Sequence, residues 1–110
     1  MVRVEILEDG RARLSSFHAV GHAGWAASGD DIVCAAVSTV LQTAWMGLLE
    51  VAHVAVAAEQ TPDALRLTWP EATRDAADVR AIVHTAALAV ERLALQFPQH
   101  VGAFRTRHQV

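Results

Sequence analysis

Residues 2–20 read VRVEILEDGRARLSSFHAV, an alternating stretch that indicates a β-hairpin. Every second residue from Val2 to Ile6 is apolar, which is the period of a strand with one buried face. Asp9-Gly10 then predicts a type I′ turn, because both central residues of that turn need a positive φ. A second alternating run, over residues 12–20, would pair back on the first strand.

Two later segments carry the period of an amphipathic helix. Apolar residues recur every three or four positions over residues 33–48 and again over residues 79–97, so each helix presents one stripe to a core. The first helix is expected to end near Val51. The second is expected to run from about Thr73 to the residue before Pro98, because proline stops a helix.

The remaining chain supplies shorter extended segments. Residues 65–69 alternate and predict a strand, whereas residues 53–58 fit either a strand or a continuation of the first helix. Thr61-Pro62-Asp63 predicts a turn, and residues 101–108 predict an edge strand. Two helices with one apolar stripe each indicate an α+β fold as a single domain over residues 1–110. We expect a two-layer sandwich in which an antiparallel or mixed sheet carries both long helices on one face.

Composition and charge narrow the class of protein. The chain has 110 residues, of which 53% are hydrophobic and 19% charged, so it can bury enough apolar surface to fold. A net charge of −3 offers no basic surface for nucleic acid. The apolar run 32–41 is shorter than the roughly 20 residues that span a bilayer, and the N-terminus lacks the pattern of a secretion signal. The single cysteine cannot form an internal disulfide, which indicates a reducing, intracellular compartment. Together with the charge and the short apolar run, this predicts a cytoplasmic protein with no direct nucleic-acid or membrane partner.

Cys34 and His22 are the residues with the clearest chemical potential. Cys34 falls in the first turn of the first predicted helix, where exposed N–H groups and the helix dipole favour a thiolate. His22 closes the second predicted strand, and a strand end can lie beside the start of the next helix, within reach of the thiol. Both also have an ordinary structural interpretation, since a lone cysteine often packs as a small hydrophobe and a lone histidine often sits in a turn.

The other histidines and the large apolar residues suggest less. His18 and His22 are four apart but lie on a strand and its end, so they do not form the paired ligands of a helical zinc site. We expect no metal and no cofactor. Trp45 and Met46 lie off the helical stripe, where they either widen the core or cover a partner copy in a dimer.

The motifs GHAG at residues 21–24 and DIVCAAVS at residues 31–38 together resemble the signature of the ribosomal-processing cysteine protease (Prp) family. The resemblance implies a cytoplasmic homodimeric protease that removes a short N-terminal extension from the precursor of ribosomal protein twenty-seven of the large subunit. It makes Cys34 the nucleophile and His22 the general base, with Asp31 and Ser38 in supporting positions.

The resemblance also assigns a substrate loop. Its residues would be Gly21, Ala23, Gly24, Trp25 and Gly29, and at the position of Trp25 the family often has tyrosine. We expect residues 23–30 to be mobile without substrate and to become ordered when a peptide binds. The alternative function is a non-catalytic dimeric module that binds a peptide or the ribosomal protein. A redox thiol sensor ranks third, because the chain has no second cysteine to resolve an oxidised form.

Overall fold

A computed structural model describes residues 1–21 and 32–107, which form a sheet of five strands and two long helices. The elements are β1 (Val2–Glu8), β2 (Leu14–Val20), α1 (Ile32–Met46), β3 (Ala57–Thr61), β4 (Ala64–Thr68), α2 (Ala77–Gln96) and β5 (Val101–Arg107). The strand order is β3-β4-β2-β1-β5. Only β1 and β5 pair in parallel, so the sheet is mixed and the predicted α+β class is confirmed.

One face of the sheet is buried against the helices. Val4 pairs with Ala19 and Ile6 with Phe17, and all four side chains are buried. The helices contribute the other half of the core through residues at helical spacing: Val37, Leu41 and Ala44 of α1, and Val79, Val83, Ala86, Ala87 and Val90 of α2. Each fully buried Val, Leu, Ile or Phe contributes roughly 1.5–3 kcal/mol relative to an exposed side chain. The alternating residues of the strands and the helically spaced residues of α1 and α2 therefore hold the two layers together.

The turn between β1 and β2 differs from the prediction. Ala12 N donates to Asp9 O at 2.9 Å, and the positive φ belongs to Ala12, at 62°. Gly10 has no positive φ, so the predicted type I′ turn at Asp9-Gly10 is wrong. The reason is side-chain chemistry: the Asp9 carboxylate accepts hydrogen bonds from the backbone N–H groups of Arg11 and Arg13, at 2.8 and 3.1 Å, and so sets a different turn.

Asp9 also ties this turn to the chain after β4. Its carboxylate lies 3.0 Å from Arg13 Nε and 3.1 Å from Arg74 Nη1, and Arg74 Nη2 donates to Trp69 O at 2.8 Å. Burial raises the pKa of Asp9, but the backbone hydrogen bonds from Arg13 and Arg11, the bond from Arg74 and the charge of Arg13 outweigh it. The resulting pKa of Asp9 is about 2. The carboxylate therefore stays ionised and keeps both arginines in place.

The segment after α1 corrects the sequence-based assignment. The helix continues as a π-helical turn, Gly47–Val51, which agrees with the end expected near Val51. The backbone then turns at His53, with φ of 55°, and Val54 N donates to Leu48 O at 2.7 Å. The strand follows only at Ala57, so residues 53–56 belong neither to the helix nor to a strand.

The start of α2 also lies later than expected. A short 3₁₀ turn occupies Glu71–Thr73, and α2 begins at Ala77 rather than near Thr73. The backbone of Ala76 is extended, with φ of −66° and ψ of 136°, so the helix cannot begin before it. The helix ends before Pro98, and β5 lies at one edge of the sheet, as predicted.

The helical segment 32–51 is long and apolar enough to cross a membrane, by length and composition only. Its mean hydropathy reaches 1.7, and 22% of the most apolar window is buried within the fold. This segment extends beyond the apolar run 32–41, which Ser38 and Thr39 interrupt. Val37, Leu41 and Leu48 belong to the core, whereas Ile32, Leu49 and Val51 of the same segment are exposed.

Candidate active site

Cys34 lies in the first turn of α1 as the structure describes it, in agreement with the prediction. Its side chain is partly buried and packs against the hydrophobic core. Peptide N–H groups at a helix start lack intrahelical acceptors and form the positive end of the helix dipole. They stabilise a thiolate and also a carbonyl oxygen that gains negative charge, so the position suits a nucleophile for acyl transfer.

Polar residues continue from Cys34 along the same side of α1. Ser38 follows one turn later and Gln42 one turn after that, because residues four apart on a helix are neighbours. Gln42 Nε2 donates a hydrogen bond to Ser38 Oγ at 2.9 Å. Ser38 Oγ is therefore the acceptor in this bond, and its hydroxyl hydrogen can be donated to a further acceptor.

This side of α1 forms one wall of a cleft of about 240 Å³. The opposite wall is the turn between β3 and β4, and the floor comes from the buried face of the sheet. The lining residues are Ser38, Leu41, Gln42, Gln60, Thr61, Pro62, Ala19 and Leu65. Ala19 is the second-last residue of β2, so the end of that strand and the first turns of α1 meet at this cleft.

Gly21 fixes the direction in which the chain leaves β2. Its φ is +87°, and a Cβ added there would lie 2.6 Å from Met1 O, so both the backbone angle and the space require glycine. Gly21 N donates to Asp63 O at 3.1 Å, in the turn between β3 and β4. The residue before His22 is thus anchored to the turn that borders the cleft.

Three of the predicted site residues can be placed: Cys34 and Ser38 lie on one side of α1, and Gly21 lies beside the turn at the cleft. The other predicted site residues lie outside the described residues: His22, Asp31, Ala23, Gly24, Trp25 and Gly29. The expected mobility of residues 23–30 concerns the same segment. The pairing of Cys34 with His22 therefore stays a prediction.

Sequence reasoning missed Gln42 and Gln60. The spacing of four between Ser38 and Gln42 was a usable signal, because polar pairs at that spacing meet on a helix. Nothing in the sequence connects Gln60 to Ser38, since the two line the same cleft only because of where β3 lies. Within residues 1–21 and 32–107, no three His, Cys, Asp or Glu side chains form a group that could hold a metal ion.

A larger groove of about 510 Å³ lies on the other side of α1, facing α2. Its lining includes Val40, Ala44 and Ile82 and contains no titratable side chain. Within the described residues, its polar side chains are the hydroxyls of Thr39, Thr43 and Thr85, and neither Cys34 nor Ser38 lines it.

The described residues define a small two-layer α+β protein with a partly buried cysteine in the first described turn of α1. A family model described as cysteine protease Prp matches residues 1–102. The chain belongs to the cysteine protease Prp family. No curated protein matches the chain in sequence.

Solved structures share this fold. SMU.848 from Streptococcus mutans has a TM-score of 0.88 at 24% identity, covering 98% of this chain and 96% of that one. The essential ribosomal processing protease Prp from S. aureus, in complex with a substrate peptide, has a TM-score of 0.84 at 16% identity, covering 96% of this chain and 100% of that one. The same protease with a covalently linked product peptide has a TM-score of 0.83, also at 16% identity, and covers the same shares of the two chains.

Proposed function

We propose that this protein is a cytoplasmic cysteine endopeptidase that removes a short N-terminal extension from a large-subunit ribosomal protein precursor, the twenty-seventh. The observation that carries the proposal is the position of Cys34 in the first turn of α1, in a chain whose family is that of cysteine protease Prp. The S. aureus relative is described as a ribosomal processing protease and binds a substrate peptide. The peptide precursor is therefore the proposed partner, and no cofactor is required.

In the proposed mechanism, His22 accepts the proton of the Cys34 thiol, and Sγ forms a bond to the scissile carbonyl carbon. The carbonyl oxygen gains a negative charge, which N–H groups at the start of α1 stabilise. As the C–N bond breaks, His22 returns the proton to the leaving amine. Water then hydrolyses the thioester, which releases the acid product and restores the thiol.

Two neighbouring residues have proposed supporting roles. Asp31 would cap the helix or hold the imidazolium of His22. Ser38 would donate its hydroxyl hydrogen to the substrate, because its oxygen already accepts a bond from Gln42.

The test is cleavage of a peptide that carries the N-terminal extension, followed by mass spectrometry of the two fragments. Cys34→Ser and His22→Ala should each reduce the rate by orders of magnitude while peptide affinity changes by only a few fold, because both groups act mainly in the transition state. Gly10→Ala, in the distant hairpin turn, should cleave like wild type. If wild type binds the peptide and yields no fragments, the alternative of a non-catalytic peptide-binding module takes its place.

We also propose that the protein acts as a homodimer. The groove between α1 and α2 supports this, because its lining is apolar and the neighbouring Met46 is 54% exposed. Only 22% of the most apolar window of segment 32–51 is buried within one copy. A second copy seated on the groove would remove this apolar surface from water.

A further inference from the structure

Among the strands formed by residues 1–21 and 32–107, β3 lies at an open edge of the sheet. No described strand other than β4 pairs with it, and all five of its residues are exposed. An edge strand presents unpaired N–H and C=O groups that another extended chain can bind. Edges are commonly protected by several charged side chains, especially lysine, by proline or by a bulge. β3, with the sequence AAEQT, has one charged residue, Glu59, no lysine and no proline, and it pairs with β4 in an unbroken register.

The direction of the free hydrogen-bonding groups follows from the ladder on the other side of β4. Directly after β4, Trp69 N donates to Ser15 O. The backbone N–H and C=O groups of the odd-numbered residues of β4 therefore face β2, and those of its even-numbered residues bond to β3. The partners of these even-numbered residues are Ala57, Glu59 and Thr61. Consequently the N–H and C=O groups of Ala58 and Gln60 face the open edge.

The other edge of the sheet is protected. Arg105 and Arg107 of β5 form ion pairs with Glu8, and Arg105 also binds Glu91 at 2.9 Å. Such charged side chains discourage a further strand. A second copy is also a poor occupant of β3. Pairing Ala58 with Gln60 of the other copy would put the two Glu59 carboxylates directly opposite each other, and like charges in that position are destabilising.

The open edge leads into the cleft beside Ser38. Gln60 pairs with buried Leu65, so its side chain is on the helix-facing side of the sheet, where it lines the cleft with Gln42. A peptide laid along β3 would direct every second side chain to that same side. A cavity of roughly 150 Å³ holds benzene, so the cleft of about 240 Å³ has room for one large side chain.

We propose that the peptide substrate binds as an added strand on the open edge of β3. Its backbone would bond to the N–H and C=O groups of Ala58 and Gln60, and one side chain would enter the cleft between Gln60 and Gln42. This inference rests on the proposed protease function, because it states how that function's substrate is held. Gln60 is then a specificity-determining residue, since it contributes backbone groups to the edge and an amide to the cleft.

The first test replaces a single N–H group. Ala58→Pro removes a donor that faces the open edge and leaves the bonds to β4 intact, a substitution that edge strands tolerate. We expect KM to rise at least tenfold. The matched control is Ala103→Pro in β5, whose N–H faces the opposite edge because its neighbours Gly102 and Phe104 are the residues that bond to β1. That variant should keep KM within twofold, and thermal melting of both variants verifies folding.

The second test needs no change in the fold. Substrate peptides methylated at successive backbone nitrogens are titrated against Cys34→Ala protein, which binds without turnover. Affinity should fall at alternate positions, because only every second peptide N–H points to β3. Hydrogen exchange of the Ala58 and Gln60 amides should slow when unmethylated peptide is added.

The outcomes separate the two proposals. Equal KM values for wild type and Ala58→Pro would overturn strand addition while leaving the protease function intact. An affinity profile without a two-residue period would do the same, as would protection of β3 that depends on protein concentration and not on peptide. Absence of cleavage by wild type would contradict the proposed function, whereas a two-residue period in binding would still support the edge.

Discussion

At the scale of the single residue, Gly21 has the most demanding conformation near the cleft. Gly21→Ala forces a side chain into a left-handed backbone with Met1 O at 2.6 Å. Strain of this kind costs on the order of 1–3 kcal/mol, so the free energy of unfolding should fall by that amount. Cleavage should also slow, because the backbone that leads into His22 must shift. Urea unfolding and peptide cleavage would measure the two effects.

The control for this substitution lies in the first hairpin turn. A Cβ at Gly10 would meet nothing within 4 Å, and the φ of Gly10 is not positive. Gly10→Ala should therefore change stability and activity little. Equal unfolding curves for wild type and Gly21→Ala would contradict the strain argument.

Cys34 provides a second prediction at this scale. If the helix start and His22 stabilise a thiolate, the rate of alkylation by iodoacetamide should reach half its maximum at a pH below about 8.5, the pKa of an ordinary free cysteine. His22→Ala should move that midpoint upward. The rate would be followed against pH by mass spectrometry of the alkylated chain. A midpoint near the reference value in both proteins would exclude an activated thiol.

The sequence pattern predicted only those relations within the site that depend on the spacing of residues in one helix. Cys34 and Ser38 could be placed on one side of a helix because that relation depends on a spacing of four. Gln60 could not be found, since it reaches the cleft through the pairing of β3 with β4. The sequence contains no short-range signal for a contact between a helix and a distant strand.

At the scale of the structural element, the carboxylate of Asp9 holds the first hairpin turn to Arg74. Its pKa of about 2 is below the ordinary value of 3.8, so the folded state favours the ionised form. The stabilisation is complete above about pH 4 and is lost as the pH falls towards 2. After allowance for solvent screening, we expect a contribution of about 1 kcal/mol.

Asp9→Asn tests this assignment. The variant should be less stable at neutral pH, and its free energy of unfolding should vary less with pH between 2 and 4. Chemical denaturation at several pH values would show both changes. Glu59→Gln on β3 offers an acid-to-amide control, because Glu59 is exposed and lies outside this cluster. An unchanged slope in Asp9→Asn would mean that other carboxyl groups govern the acid sensitivity.

Elements with a strong period were predictable, and those set by tertiary contacts were not. The apolar stripes over 33–48 and 79–97 gave both helices, and alternation gave the first hairpin. The turn type failed because the Asp9 carboxylate binds backbone N–H groups, which dipeptide statistics for Asp9-Gly10 do not describe. For residues 53–58 the sequence allows either a strand or a continuation of the first helix, but residues 53–56 form neither: Val54 N donates to Leu48 O, and the strand begins only at Ala57.

At the scale of the whole molecule, we expect association through the groove between α1 and α2. Sedimentation at several concentrations should show a dimer. Thr43→Arg places a charge in the groove and should shift the equilibrium towards monomer, since burying an unpaired charge is costly. Thr106→Arg on exposed β5 makes the same change away from the groove and should leave the dimer intact. A monomer at all concentrations in wild type would refute the dimer.

The parallel pairing of β1 with β5 has a consequence for synthesis on the ribosome. Val2 pairs with Val101, so one edge of β1, the first strand to be synthesised, has no partner until β5 has been made. Closing so long a loop costs little stability, since each doubling of length costs only about 0.6 kcal/mol, but contacts between distant parts of a chain slow folding. A nascent chain that lacks β5 exposes one edge of β1, and such an edge attracts chaperones and other chains. The complete sheet therefore forms only after β5 has been translated, and the cleft that rests on this sheet is complete only from then on.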